Sequence, residues 1–470
     1  MALQTERQKG AHLLRRFGLG ASESELDYYL KDGGLNGAID KLLNYENTDE
    51  GFKLDIDSFR NGKNNNISPQ AVGIWWTARM LTTQRPLQEK MTLFWHNHFA
   101  TSGEKVTQGG MMYVQNELLR QNATGNFRDM LMQVSKDPAM LFWLDNQYNV
   151  KGHPNENFAR EVMELFTLGI GNYTEHDIQE GARAFTGWSI QRTNRKEGDD
   201  NRPQAEFLFR PRLHDDGDKT YLGVTGNLTG DDVINHLCDL PRCAEFLTNK
   251  LWKWFVYPNP DKDLIGRLAD KFRQSNLNIK ELLRLIMTSP EFYSDKAERA
   301  VYKNPVDFVV VSLRELGIGQ ILTEMIANVD QAAPNPLARV APAAQAYQAM
   351  KQMGMQLLFP PDVSGWAGGS EWVSTATMVE RISWANKVFG RARFGSRFTS
   401  YRIFEQDPSP KGIAAKLVSI FDAPIPSAKM KSLEEAAEKA MGGKLTPQNA
   451  NGVAAAVSRL IFAAPEYQFE

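Results

Sequence analysis

Helix-boundary signals recur along most of this chain and constrain its fold more than any other feature. Residues 22–25, Ser-Glu-Ser-Glu, have the pattern of a capping box, in which a serine and a glutamate close the first turn of a helix. Proline suits the first helical turn, so Pro86–His98 and Pro241–Phe255 are predicted to be helices. Residues 432–435 repeat the capping-box spacing. The sequence therefore predicts a mainly α, multi-helix globular protein.

One region interrupts the helical pattern, between residues 188 and 230, which are rich in Asn, Asp, Gly and Pro. Residues 205–209 alternate apolar and polar side chains as a strand does. Residues 219–223 are placed to return antiparallel to them, with 214–218 as the turn. We therefore expect one small β-hairpin inserted in the helical body.

The length of the chain allows more than one hydrophobic core. Of its 470 residues, 42% are hydrophobic and 23% are charged, which is the composition of an ordered globular protein. We expect a main helical domain over residues 1–330, including the hairpin, and a C-terminal helical subdomain over residues 331–470 that packs on it.

Charge and hydropathy exclude some classes of partner. A formal net charge of -2 and a pI of about 6.4 argue against a nucleic-acid-binding protein, which needs a concentrated basic surface. No apolar run approaches the roughly 18 residues of a membrane-spanning helix, so no transmembrane segment is expected. The N-terminus has no apolar stretch typical of a secretion signal. We expect a cytoplasmic protein, or an exported one if a leader has been removed.

Two histidines lie in the aromatic segment 94–99, Phe-Trp-His-Asn-His-Phe. His96 and His98 are two residues apart, so on a helix they point about 200° away from each other. One of them is expected to face a polar cavity while the other makes a different contact. The alternative is that each imidazole is a hydrogen-bonded part of the core.

Two carboxylates lie in the helix predicted to follow Asn155. Glu161 and Glu164 are three residues apart and share one helix face. Such a pair can bind a metal or act as an acid and a base, as in helical bundles that build sites from facing helices. The alternative is a structural ion-pair network with arginines such as Arg160 and Arg183.

A third candidate group lies at the predicted hairpin turn. His214 and Asp215 begin a segment with several oxygen donors around a glycine, and loops often present reactive groups. We expect them at the rim of a cleft between the helices, although a solvated turn explains the same residues.

Several motifs follow one another along nearly the whole chain. They are residues 12–18 (His-Leu-Leu-Arg-Arg-Phe-Gly), 94–99, 155–161 and 184–188, His214-Asp215 with Lys219, and Gly365-Trp366 with Trp372. Taken in this order, they resemble the bacterial family known as domain of unknown function 1800. The resemblance implies a mainly helical fold. Many members of that family resemble exported proteins encoded beside a phosphatase- or sulfatase-like family.

Two functions stay open at this point. The first is a helical hydrolase with a His/Glu pocket, in which a divalent metal or acid–base groups activate water. The second is a non-catalytic binding or assembly partner of a phosphatase- or sulfatase-like protein, with aromatic residues at the contact surface. The residues proposed for catalysis are His96, His98, Glu161, Glu164, His214 and Asp215, of which His96, His98, Glu161 and His214 are the candidate metal ligands.

Overall fold

Helices make up most of the protein, which confirms the predicted mainly α fold. The computed structural model describes residues 3–60, 66–193, 205–327, 337, 340–390 and 400–470. Its α-helices are α1 (Glu6–Phe17), α2 (Glu23–Leu30), α3 (Gly34–Leu43), α4 (Pro69–Thr82), α5 (Pro86–His98), α6 (Gly109–Gln121), α7 (Phe127–Ser135), α8 (Pro138–Trp143), α9 (Glu156–Glu161), α10 (Glu175–Ala184), α11 (Gly230–Asp239), α12 (Pro241–Phe255), α13 (Lys262–Gln274), α14 (Ile279–Met287), α15 (Pro305–Glu315), α16 (Ile318–Ala327), α17 (Ala341–Gln352), α18 (Thr375–Val388), α19 (Ser400–Ile403), α20 (Pro410–Ile420), α21 (Ser427–Met441) and α22 (Ala450–Ala463).

Shorter helical turns connect many of these helices. A π-helix, Val162–Thr167, follows α9 directly. The 3-10 helices are Tyr45–Asn47, Ile56–Phe59, Asn146–Tyr148, Pro211–Leu213, Pro290–Tyr293, Gly369–Trp372 and Pro465–Gln468.

Helix ends follow the local sequence in most of the predicted places. The Ser22 side chain accepts a hydrogen bond from the Glu25 backbone, which confirms the capping box of α2. Helices α5 and α12 begin at their prolines as predicted. The start predicted at Ser432 is wrong, because α21 already begins at Ser427. The intervening Ala, Lys and Met residues are good helix formers and extend the helix toward its N-terminus.

The β structure lies in the predicted region, but its pairing differs from the prediction. Strand β2 (Ala205–Phe209) pairs antiparallel with β1 (Trp188–Arg192), not with residues 219–223. Strand β3 (Lys219–Tyr221) pairs instead with β4 (Val224–Gly226), its neighbour in sequence. Leu222 and Gly223, between β3 and β4, both have positive φ, as in the tight turns that close two-residue hairpins. The described residues therefore hold two small sheets where one hairpin was expected.

Two hydrophobic cores contain most of the large apolar side chains. Trp95 and Trp252 are fully buried in the first core, and Trp366 is buried in the second, as their apolar neighbours predict. Trp254 is only partly buried. Its side chain forms part of a cavity wall, which accounts for its greater exposure.

The proposed domain boundary at residues 330–331 lies outside the described residues, so the division stays a prediction. Helix α4, from the N-terminal part of the chain, packs against α16 and α17, which lie on opposite sides of that boundary. Within the described ranges, no helix combines the length and hydrophobicity that crossing a membrane requires.

Candidate functional site

The last turn of α5 carries His96, Asn97 and His98, and each of these side chains contacts a different segment. His96 is buried, and its Nε2 accepts a hydrogen bond from the Leu358 backbone N–H at 3.2 Å. Leu358 has a positive φ of 67°, which is strained for a leucine. Burial lowers the pKa of His96 to about 3, so this imidazole stays neutral. His96 therefore supports an unusual backbone conformation.

Asn97 holds the glycine-rich loop, residues 359–369, which follows Leu358. Its Oδ1 accepts a hydrogen bond from the Trp366 backbone N–H at 2.7 Å. Gly365 makes this approach possible, because a Cβ at that position would lie 2.3 Å from Asn97 Oδ1. Gly365 also has a positive φ of 83°, a conformation that glycine adopts without strain. The loop is thereby fixed against the end of α5.

His98 contacts the π-helix that carries Glu164. Its Nε2 lies 3.2 Å from the carbonyl oxygen of Phe166, so Nε2–H is the donor and Nδ1 is left as an acceptor. Nδ1 is buried and has no hydrogen-bond partner in the part of the chain that the structure describes. Burial and then the Lys250 charge lower the pKa of His98 well below its ordinary value. The divergence of the two histidines, expected from helix geometry, is confirmed.

A cavity of about 660 Å³ lies between α5, α12 and the glycine-rich loop. That volume is within the range of pockets that bind small organic molecules. Its walls carry large aromatic side chains, and its polar groups come from α5, α12, the start of α15, the segment 364–371 and Glu470. The aromatic residues are Phe94, Trp254, Tyr302, Trp366 and Trp372.

Lys250 is the unusual charged group of this cavity. Within the described residues it makes no hydrogen bond and no ion pair, and its Nζ lies 5.3 Å from the ring centroid of Phe246. The side chain of Lys250 is partly buried. Burial lowers the pKa of Lys250 to about 8. A sizeable fraction of this amine is therefore unprotonated at mildly alkaline pH.

The other buried charges of the cavity compensate one another. Lys90, behind the wall, forms ion pairs with Asp307 and Glu470, the second at 3.5 Å. Burial lowers the pKa of Lys90, but these two carboxylates outweigh burial and raise it above its ordinary value. Burial and then Asp307 raise the pKa of Glu470 to about 7. These groups neutralise each other and leave Lys250 without a counter-charge.

Glu161 and Glu164 do not pair directly with either histidine. Glu164 accepts a hydrogen bond from the Tyr173 hydroxyl, whereas Glu161 has no hydrogen-bond partner among the described residues. Burial, then Glu164 and Asp362, raise the pKa of Glu161 to about 7. The alternative prediction was an ion-pair network between these two glutamates and nearby arginines. Arg160 instead binds Glu156 and Glu175.

His214 and Asp215 lie in a separate, tightly bonded loop. Asp215 forms an ion pair with Arg183 at 2.8 Å, and hydrogen bonds from Arg183 lower the pKa of Asp215 to about 2. His214 Nδ1 lies 2.9 Å from the carbonyl oxygen of Thr186. Lys219 donates to the carbonyl oxygens of Asp215 and Gly217. These contacts hold the loop against the end of α10.

Of the six residues proposed for catalysis, His98 is the one that lines the aromatic cavity. Within the described ranges, no group of three or more His, Cys, Asp or Glu side chains is arranged to hold a metal ion. Sequence reasoning missed Lys250, although the sequence contains a signal for it. Cys243, Leu247, Lys250 and Trp254 follow the spacing of one apolar helix stripe, so a lysine interrupts a buried face.

Comparison with known proteins gives one match. The family model described as "Protein of unknown function (DUF1800)" matches residues 12–469. No curated protein and no solved structure matches the chain. The family match spans nearly the whole chain and includes every residue of the cavity discussed above except Glu470. This chain therefore belongs to the DUF1800 family of proteins of unknown function.

Proposed function

We propose that this protein is an enzyme, a hydrolase of small organic molecules, with its active site in the aromatic cavity. The observation that supports this proposal is Lys250, a partly buried amine that lines a ligand-sized cavity and pairs with no described carboxylate. An unpaired and partly desolvated charge destabilises the folded protein, so its presence in a cavity favours a functional role.

Hydrolysis requires a group that takes a proton from water and returns one to the leaving group. An amine with a pKa near 8 is present in both protonation states close to neutral pH and serves both steps. In the proposed reaction Lys250 removes a proton from the attacking water and then protonates the leaving group. His98 stays neutral in the cavity lining, and the Phe166 carbonyl holds its ring in place.

The test is a hydrolysis screen with chromogenic esters, amides and phosphate monoesters. We expect activity that rises with pH through about 8, the pKa of Lys250. Lys250→Met should lower the hydrolytic activity by a factor of about 100 or more, which is the usual contribution of acid–base catalysis. Lys271→Met, at an exposed lysine of α13, is the matched control and should retain activity. Equal activity in the two variants would refute the assignment of Lys250.

A metal-assisted reaction is the other version of the same proposal. Its sequence-predicted ligands were His96, His98, Glu161 and His214, but the Nε2 atoms of His96 and His98 are engaged with backbone groups. We therefore favour water activation by Lys250. Treatment with a chelator should leave the activity unchanged. A loss that one divalent metal restores would favour the metal-assisted version instead.

Exposed apolar side chains favour a second candidate function, the non-catalytic partner of a phosphatase- or sulfatase-like protein. Tyr148 is 68% exposed and Phe209 is 39% exposed, and both lie on segments that meet at β1. Exposed aromatic residues are common in protein interfaces. Co-purification with a phosphatase- or sulfatase-like protein should then be weakened by Tyr148→Ser. Unchanged binding by this variant would exclude the surface around Tyr148 as the binding site for that protein.

A further inference from the structure

Lys250 is both a base and a nucleophile whenever it is unprotonated. Lys250 lies on the same face of α12 as Cys243, Leu247 and Trp254. At Lys250 this face reaches the cavity. Lysines that form covalent intermediates are typically desolvated in this way, because only the neutral amine has a free electron pair. The surroundings of Lys250 therefore allow a covalent reaction in addition to proton transfer.

The charged groups around the cavity leave this amine free. Asp307 and Glu470 bind Lys90, and Glu371 is an exposed residue of the cavity lining. Lys253, one turn further along α12, is also exposed. No described carboxylate pairs with Lys250. Its main neighbours are Phe246, at 5.3 Å from Nζ to the ring centroid, and the neutral His98.

The aromatic walls suit a ligand that is small, partly apolar and able to react with an amine. Among common functional groups, the carbonyl of an aldehyde or ketone meets these conditions. We propose that Lys250 forms an imine with the carbonyl carbon of a small aldehyde or ketone bound in the cavity. This inference rests on the proposed function for the location of the site, and it adds a second class of ligand there, a carbonyl compound that is not itself hydrolysed.

The step balances without any additional oxidant or reductant. The electron pair of Nζ attacks the carbonyl carbon, and the carbonyl oxygen takes up a proton as the C–N bond forms. The nitrogen then loses a proton, and the hydroxyl group takes up a second proton and leaves as water. The net reaction converts one neutral amine, one carbonyl group and one proton into one protonated imine and one water. Addition of water reverses these steps and restores the free lysine.

Reductive trapping tests the proposal on the full chain. The protein is incubated at about pH 7 with sodium cyanoborohydride and either pyruvate or benzaldehyde, and the modified lysines are identified by peptide mass spectrometry. At that pH a pKa near 8 leaves far more free amine than an ordinary lysine has, so Lys250 should react at least about tenfold faster than Lys253 or Lys271. Pyruvate and benzaldehyde distinguish an anionic from an aromatic ligand.

Lys250→Met should remove the rapid adduct, whereas Lys271→Met should keep it. Wild-type peptide mapping does not depend on the folding of either variant. Labelling of Lys250 no faster than that of Lys271 would overturn the inference. An adduct on Lys250 without hydrolytic activity would support the imine and contradict the proposed hydrolase. Hydrolysis that needs Lys250 but gives no adduct would overturn the imine alone.

Discussion

At the scale of single residues, the unpaired ammonium of Lys250 should destabilise the folded protein. Its pKa falls to about 8, so between about pH 8 and pH 10.4 the unfolded chain binds more protons than the native one. This group therefore makes the free energy of unfolding rise with pH across that window, and its full penalty is present below about pH 8. Lys250→Met keeps the apolar stem and removes the charge.

We expect Lys250→Met to raise the free energy of unfolding by about 1 to 3 kcal/mol at pH 7, after a discount for partial exposure. The gain should shrink as pH rises from about 8 to 10.4 and vanish above about pH 11, where the wild-type lysine is almost entirely neutral in both states. Urea unfolding at several pH values measures it. A loss of stability at pH 7 would mean that the ammonium has a stabilising partner.

Glu161 has the opposite pH dependence. Its pKa rises to about 7, so the native protein binds more protons than the unfolded one between about pH 4.3 and pH 7. The contribution of this group to stability therefore falls as pH rises through that window. Because the side chain is only half-buried, Glu161→Gln should gain about 1 kcal/mol at pH 8 and nothing at pH 4.

The exposed Glu405, which forms no hydrogen bond or ion pair with the described residues, provides the control. Glu405→Gln should change stability by less than about 0.5 kcal/mol at either pH. Thermal unfolding at both pH values compares the two variants. A loss of about 3 to 5 kcal/mol in Glu161→Gln would indicate a buried cationic partner and favour the structural role.

At the scale of elements, the end of α5 and the glycine-rich loop form one unit. Gly365→Ala should cost about 2 kcal/mol or more, because a Cβ at a φ of +83° would meet Asn97 Oδ1 at 2.3 Å. Gly452→Ala is the control, since its Cβ would point into open space within α22. That variant should gain about 0.5 to 1 kcal/mol. Equal stability changes in calorimetry would refute the strain argument.

The elements differ in how far the sequence predicts them. Helices α2, α5 and α12 were predictable because serine caps and prolines act within one turn of the residues they affect. The strand Ala205–Phe209 was recognisable from its alternation, but alternation does not identify the partner strand. Pairing with Trp188–Arg192 depends on tertiary packing around Trp188 and Phe207, whose rings lie 5.4 Å apart.

The candidate site was harder to predict, because it depends on which segments meet. The divergence of His96 and His98 followed from helix geometry alone. Their actual partners, Leu358 and Phe166, are distant in sequence and are backbone groups, which no motif reveals. Lys250 was detectable from the apolar stripe it interrupts, but the absence of a counter-charge is a property of the folded protein.

At the scale of the whole molecule, the ion pairs of Lys90 join three distant parts of the chain. Lys90 is on α5, Asp307 is on α15 and Glu470 lies at the end of the last described segment, and all three are almost completely buried. Lys90→Met would leave two carboxylates near each other without a cation, so we expect a loss of about 3 to 5 kcal/mol. Chemical denaturation measures it.

The double variant Lys90→Met with Asp307→Asn tests the same network. It removes one of the uncompensated carboxylates and should recover part of the lost stability. A double variant less stable than Lys90→Met would contradict an ionic origin of the effect.

The titration of Lys250 tests the central claim most directly, because both the hydrolase and the imine need this amine to be unprotonated and accessible. The full chain is labelled with trace acetic anhydride at intervals from about pH 6 to pH 11, and the rate at each lysine is quantified by mass spectrometry. Lys250 should titrate with a midpoint near 8, well below the value of about 10.4 for a lysine in a model peptide. A Lys250 midpoint near 10.4, or no labelling of Lys250 at any pH, would contradict the account.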